Sequence, residues 1–456
     1  MPRYLLSPLA LLLLAGCSHT ASPVDVLPTP PNEWQHAIPA DEPVPADWWR
    51  GFASPELDGL VEQALAGNHD LAAAAARLRQ AQASARAAGA PLLPALDGNL
   101  GASREGRLGG DAETAGNQYR GGLAASYEVD LWGRLAANHD AALAELAASR
   151  FDRDALTLSL TATLTDTWLR QVALAERLRL AGLNLDNAER VLATVQAREA
   201  AGAATPLELA QQRGLVAEQR RSREELRQQA DDVRSSLAIL LGQSEPVTQS
   251  RSSLTELQAP APDGALPSEL LVRRPDLARA EARLTAADAD LRAARAALLP
   301  RLNLSAGASG SAGGLSRVFA DPVYSLAAAL TAPIFDGGAL AAERDRNEAR
   351  REELLADYRQ SIVAAFADVQ VALNARAGID AQWQAQQEVQ AQAERALRLA
   401  EQRYRAGADD LLNLLDTQRT LYAAEDQSAQ LRLSRLQADV ALARALGGGW
   451  SADSDR

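Results

Sequence analysis

The chain has 456 residues, of which 47% are hydrophobic but only 4% aromatic, and it carries a formal net charge of -13. That length holds two or three ordinary domains, yet much of the apolar share is alanine, which buries little area per residue and suits long, closely packed helices better than a thick core. The negative total argues against nucleic acid as a partner, because phosphate binding needs clustered Lys and Arg, and no such block with interleaved aromatics occurs.

At the N-terminus Arg3 precedes an apolar run from Leu5 to Ala15, followed by Gly16 and Cys17. A cationic start and an apolar run too short to cross a bilayer mark residues 1–16 as an export signal. Leu14-Ala15-Gly16-Cys17 resembles the lipobox of bacterial lipoproteins, which implies that Cys17 becomes the acylated first residue of the mature chain. By the same resemblance Ser18, standing where Asp would retain the protein, directs it to the outer membrane. Cys17 is the only cysteine, so no intrachain disulfide competes for it. Residues 17–53 then form an extended tether, rich in Pro, Asp, Ser and Thr.

From residue 54 the chain is written twice. Pro94 and Pro300 lie 206 residues apart, Gly133 and Gly338 lie 205 apart, and Gly202 and Gly407 lie 205 apart. A nearly constant offset across unrelated features means an internal duplication. The copies are residues 54–241 and 268–447, joined by a Ser- and Pro-rich linker over 242–267 and followed by a tail over 448–456. Each copy is expected to begin with a helix, over about 56–88 and 269–297, the first introduced by Ser54 and Pro55. Two short strands follow, at 95–104 and 119–131, then at 301–310 and 324–334. Next come long helices over 137–201 and 341–406, neither of which contains proline. At 1.5 Å per residue each would span roughly 95 Å. Gly202 and Gly407 reverse the chain, and helices return over 206–240 and 409–446. Thr205, Pro206 and Glu208 form a capping box ahead of the first return helix.

The strands carry a period of two. Tyr119, Leu123, Tyr127, Val129 and Leu131 alternate with Arg120, Ser126, Glu128 and Asp130, while Leu96 and Leu100 alternate with Asp97 and Asn99. Their lengths approach those of tilted transmembrane strands. Soluble hairpins over a core fit the alternation equally well, but the export label and the lack of covering elements favour a membrane. Four strands cannot close a barrel around a polar interior, and lipid does not tolerate an open edge, so other chains must complete the sheet. Three subunits giving twelve strands would enclose a lumen lined by Asp97, Asn99, Glu128 and Asp130, although closure alone does not fix the number.

Several further motifs resemble the outer membrane efflux protein family, the TolC-like channels, and within it the lipoprotein branch typified by NodT and OprM. They are Trp48-Trp49 with Pro55-Glu56-Leu57, Asn68-His69-Asp70-Leu71, Leu271-Val272-Arg273-Arg274-Pro275-Asp276-Leu277, Pro333-Ile334-Phe335-Asp336-Gly337-Gly338, and Tyr404-Arg405-Ala406-Gly407 with Leu414-Leu415-Asp416-Thr417-Gln418. The resemblance implies a homotrimer, with a transmembrane β-barrel in the outer membrane completed by trimerisation and a long antiparallel α-helical barrel in the periplasm. It also implies a periplasmic adaptor and an inner-membrane RND-type transporter as partners, with drugs or other small toxic compounds passing through unmodified.

Asp409, Asn413, Asp416 and Thr420 share one helical face, so in a three-fold assembly an axis-facing member becomes a ring. Family gate residues match Asn413 and Asp416, the first an amide here in place of an acid, and Asp409 is a partial substitute or a helix cap. Gly202 and Gly407 are expected at the tips that touch the adaptor, or as helix C-caps alone. Nothing suggests catalysis, a cofactor or a metal: His19, His36, His69 and His139 lack ligand spacing, and no phosphate-binding glycine motif or nucleophile elbow occurs. The remaining alternatives are a duct for type I protein secretion and a periplasmic coiled-coil lipoprotein without a pore.

Overall fold

The computed structural model describes residues 27–36, 44–111, 113–258 and 267–452. The signal and Cys17 lie outside them. A first helix α1 (Pro55–Gly67) and a second, α2 (His69–Gly89), lead into strands β1 (Ala95–Arg104) and β2 (Asn117–Val129). Helix α3 (Arg134–Ala200) descends and α4 (Pro206–Leu240) returns. The second copy repeats this with α5 (Pro275–Ala297), β3 (Arg301–Ala312), β4 (Val323–Thr331), α6 (Ala339–Arg405) and α7 (Leu411–Ala445).

The single opening helix expected in each copy is broken. In the first copy the break is Asn68, whose extended backbone ends α1 and whose side chain caps α2 by accepting from the amides of Asp70 and Leu71. In the second copy it is Arg274, held extended by Pro275, with only the turn Leu270–Arg273 before it. The two breaks occupy equivalent places and do the same work. The Asn68 amide donates to the Leu240 carbonyl at 3.0 Å, and the Arg274 guanidinium donates to the Ala445 carbonyl at 3.4 Å, so each closes the end of its own return helix. Gly242 and Gly447 follow those ends with positive φ, and a Cβ at either would lie 2.3 Å from the Gly67 carbonyl oxygen or 1.9 Å from that of Arg273. Both breaks carry local signals, an asparagine N-cap and a residue before proline, that helical periodicity alone passes over, and the tertiary bonds then fix them in place.

The ends of the strands also move. β2 stops at Val129, just before a residue that serves the long helix, and β4 stops at Thr331, ahead of Pro333, which has no amide N–H to pair. Asp130 accepts from the amides of Leu135 and Ala136, and Asp336 from those of Gly338 and Leu340, with Gly133 and Gly338 in the left-handed region. These carboxylates start α3 and α6 a few residues earlier than the sequence pattern suggests. The linker is not loose where described: Leu254 is buried, Arg432 donates to the carbonyls of Leu254 and Thr255, and Ser250 and Ser252 bond Glu56.

Packing gives the trunk an order. Helix α3 lies against α2 and α5 in its upper half and against α4 and α7 in its lower half, while α6 packs on α5 and α7. The largest buried cluster sits where the copies meet, around Trp168, Leu164, Leu237, Leu277, Ile362 and Leu442. A second cluster fills the lower hairpins with Ala188, Leu215, Leu397, Leu411 and Leu414. The edge helix α6 leaves Val363, Val371, Val389 and Leu399 about half exposed or more, with Val371 at 66%. It is the one helix among the described residues that is long and apolar enough to cross a membrane, and a position at the protomer's edge accounts for this equally well.

Candidate functional site

The four strands form one antiparallel sheet in the order β1-β2-β3-β4. Register sorts its faces. Leu96, Leu100 and Ala102 align with Ala125, Gly121 and Tyr119; Leu123, Ala125 and Tyr127 align with Ala308, Ala306 and Leu304; and Leu302, Leu304, Ala306 and Ala308 align with Leu330, Ala328, Leu326 and Tyr324. One face is thus apolar across all four strands. The other carries Asp97, Asn99, Gln118, Arg120, Ser126, Glu128, Asn303, Ser305 and Ser309. Among the described residues no α-helix covers either face: Leu96, Leu326 and Leu330 are 68%, 75% and 68% exposed. The outer edges of β1 and β4 have no strand beside them among the described residues of this chain.

Of the residues expected to line the lumen, Asp97 and Asn99 stand on the polar face of β1. Glu128 stands on the same face of β2, where Arg134 pairs with both its oxygens at 2.8 Å. Asp130 differs. It lies beyond the strand, and its carboxylate is committed to the α3 amides, so it is a helix-starting residue at the foot of the wall. Trp132, half exposed, ties the two copies there by donating its indole N–H to the Pro300 carbonyl at 2.8 Å.

At the opposite end the long helices reverse. Gly202 and Gly407 have φ of 73° and 71°, and Ala203 and Ala408 donate to the carbonyls of Arg198 and Arg403, which makes both reversals Schellman-type C-caps. Both are open to solvent: nothing lies within 4 Å of a Cβ built at either glycine. The capping box of Thr205 and Glu208 forms as the sequence pattern suggests. On the second hairpin the N-cap is Asp410, which accepts from the Asn413 amide at 3.0 Å. Asp409 accepts instead from the Asn413 side chain at 2.7 Å and the Arg403 guanidinium at 3.1 Å, and these bonds, the one from Asn413 foremost, hold its carboxyl below the usual carboxylate range. Two of the three expected gate residues therefore bind each other. Asp416 is exposed on the same face of α7, and its carboxylate has no hydrogen bond or ion pair among the described residues.

Three links between the hairpins were not visible in the sequence pattern. Arg198 donates to the Tyr404 carbonyl at 2.9 Å and lies 4.6 Å from the centre of its ring. Higher up, Arg177 grips Asp426 at 2.6 Å and 3.1 Å. Between these levels the Asn187 amide donates to the Tyr422 hydroxyl at 3.2 Å, and burial pushes that phenol up to about 12. Further from the tip, Asp439 is 2% exposed between α6 and α7, and burial raises its carboxyl to about 6 against the opposing pull of Arg376 and Arg435. The Arg376 guanidinium approaches it at 3.3 Å without a hydrogen bond to that oxygen. A buried acid on the helix face 409–446 is the only signal that could have marked it.

An amphipathic sheet with two open edges, standing on a trunk about 100 Å long, has known counterparts. The sequence profile of the outer membrane efflux protein matches residues 60–243 and 266–448. The chain is 50% identical to the pyoverdine export outer membrane protein OpmQ of Pseudomonas putida, across 100% of this chain and 99% of that protein. It is 34% identical to the toluene efflux pump outer membrane protein TtgF of Pseudomonas putida, across 89% of this chain and 85% of that one. Its fold superposes on the outer-membrane channel OprN with a TM-score of 0.83 at 30% identity, covering 93% of this chain and 99% of that structure.

Proposed function

The chain belongs to the outer membrane efflux protein family and is the outer-membrane channel of a tripartite efflux system, and on that footing we propose that its cargo is a metabolite of the pyoverdine type. The observation that carries the cargo is similarity sustained at 50% over the whole chain, against 34% for the toluene-exporting relative. The fold is the family's: a four-stranded contribution to a β-barrel in the outer membrane and a helical trunk extending into the periplasm, closed by trimerisation. The cargo passes through unaltered. Deleting the gene in its host should leave pyoverdine inside the cell and deplete it from the medium, with tolerance to toluene and drugs nearly unchanged. Normal secretion with a sharp loss of solvent or drug tolerance would favour a duct for toxic compounds instead.

The finer arrangement follows from the residues. Cys17 carries the lipid. Trp34 packs against Phe366 with ring centroids 6.5 Å apart, and the chain from Cys17 to Trp34 extends to at most about 60 Å, more than the roughly 40 Å that α6 rises from Phe366 to the foot of the sheet. The tether thus has the reach for the membrane. The reversals at Gly202 and Gly407 offer open backbone to a periplasmic adaptor, which in turn meets an inner-membrane transporter of the RND type. Asp97, Asn99 and Glu128 face the barrel lumen. Asp416, unpaired among the described residues, forms the acidic ring at the periplasmic gate, while Asn413 and Asp409 brace the turn beside it. Asp416→Ala should raise ion leakage through the channel in planar bilayers, and an unchanged conductance would remove Asp416 from the gate.

A further inference from the structure

The loop between β3 and β4 does not rise away from the sheet. It folds back onto it. A Cβ built on Gly310 would lie 1.9 Å from the Val318 carbonyl oxygen, and one on Gly121 would lie 2.9 Å from the Phe319 ring, 3.3 Å from Val318 and 3.3 Å from Leu100. Gly121 and Gly310 are register partners, and both belong to the face that carries Leu123, Ala308, Leu304 and Leu326. The two glycines therefore make a seat in the apolar wall, filled by the loop backbone at Gly310 and by the Phe319 and Val318 side chains at Gly121. Val318 is buried there at 1% exposure, whereas Leu315 and Phe319 of the same loop remain 62% and 67% exposed, as do Leu100 at 74% and Tyr324 at 83% on the apolar face.

A loop meant for water or for a polar lumen would not use two glycines to dock on the apolar side, nor lay a largely exposed Phe319 ring against that face. Arg317 sits in the same turn, exposed and without an ion-pair partner among the described residues. An apolar pair next to a free guanidinium matches the boundary between acyl chains and phosphate headgroups.

We propose that the β3–β4 loop is an outward-folded membrane anchor: Leu315 and Phe319 insert among the acyl chains of the leaflet at the distal end of the barrel, and Arg317 meets lipid phosphate. This rests on the reading of the sheet as a barrel wall whose apolar face meets lipid, and the occupant it names is the surrounding membrane, continuous with that face.

The test places an environment-sensitive fluorophore on Phe319→Cys, on Leu326→Cys as a wall position, and on Arg107→Cys in the β1–β2 loop. Each labelled full-length assembly is reconstituted in vesicles of phospholipid with nitroxide-labelled acyl chains, and the unsubstituted chain corrects for any label at Cys17. The probe at 319 should be quenched by the nitroxide lipid about threefold more strongly than the probe at 107, as expected for a side chain lying within the headgroup and acyl boundary. Adding Gly310→Ala should unseat the loop and lower quenching at 319 while leaving 326 unchanged. If 326 is quenched by lipid but 319 answers only to aqueous iodide, the anchor is wrong and the barrel stands. If neither probe senses lipid, both the anchor and the barrel wall fail.

Discussion

In the helical trunk, Trp168, Leu164 and Leu237 are sealed from solvent by their own chain, while all ten residues of β1 and all nine of β4 are exposed. The trunk buries its apolar surface through four or more helices packed around α3, so a single copy can satisfy most of it. The sheet has an apolar face that only the β3–β4 loop touches, at one end, and two edges with no strand beside them among the described residues. Its stability must come from lipid and from neighbouring chains. One region is a folded body in its own right, and the other is a fragment of something larger. The contrast fixes where mutations will act: trunk changes alter the protomer, and sheet changes alter the assembly.

The largest expected effect is on the sheet. Leu326→Arg places a charge on the lipid face near mid-strand and should cost about 2 to 4 kcal/mol per chain, enough to abolish the heat-stable trimer on unboiled gels. Ala327→Arg, one residue along and on the lumen face, should leave the trimer intact. Equal loss from both would erase the distinction between the faces.

In the trunk, Gly447→Ala forces a left-handed alanine whose Cβ meets the Arg273 carbonyl, and should cost at least about 2 kcal/mol. Circular dichroism should register a lowered helix melting temperature even in detergent-separated protomers. A melting temperature that changes only in the trimer would place this junction with the sheet, against the contrast drawn above.

A smaller trunk effect depends on pH. Because burial holds the Asp439 carboxyl near 6 in the folded state, above its unfolded value, its contribution to stability is fully present below the unfolded pKa and is lost as pH rises through about 6. Asp439→Asn should therefore be more stable than the parent at pH 7, and the gap should close toward pH 4. Arg376, Arg435 and Asp380 face this group, so the difference between parent and variant is the quantity to follow. A gap that stays constant from pH 4 to 7 would mean that Asp439 does not change its protonation there.

Much of this was legible in the residues. The duplication, the four amphipathic strands, the proline-free rods and the glycine reversals all follow from spacing, because period and turn chemistry are local properties. Asn68 and Pro275 carry local break signals that helical periodicity passes over, and only the fold shows that Asn68 and Arg274 also bind the carbonyls of Leu240 and Ala445, far away in sequence. Asp130 looked like one more polar residue on a strand, and only its bonds to the α3 amides show that the strand has ended. Asp409 and Asn413 shared a face with Asp416, but spacing cannot tell a free side chain from two that bind each other. Arg198 and Tyr404 come together only when the two hairpins do.

The claim that neighbouring chains complete the sheet can be tested by a disulfide scan pairing one cysteine in β1 with one in β4. Within a chain these edges are three strand spacings apart, about 14 Å, beyond the roughly 7 Å that a disulfide allows between Cα atoms. Oxidation in the membrane should give covalent rings of three chains at positions that recur with strand alternation. A conducting, membrane-assembled protein in which no pairing across that edge ever forms would contradict the account.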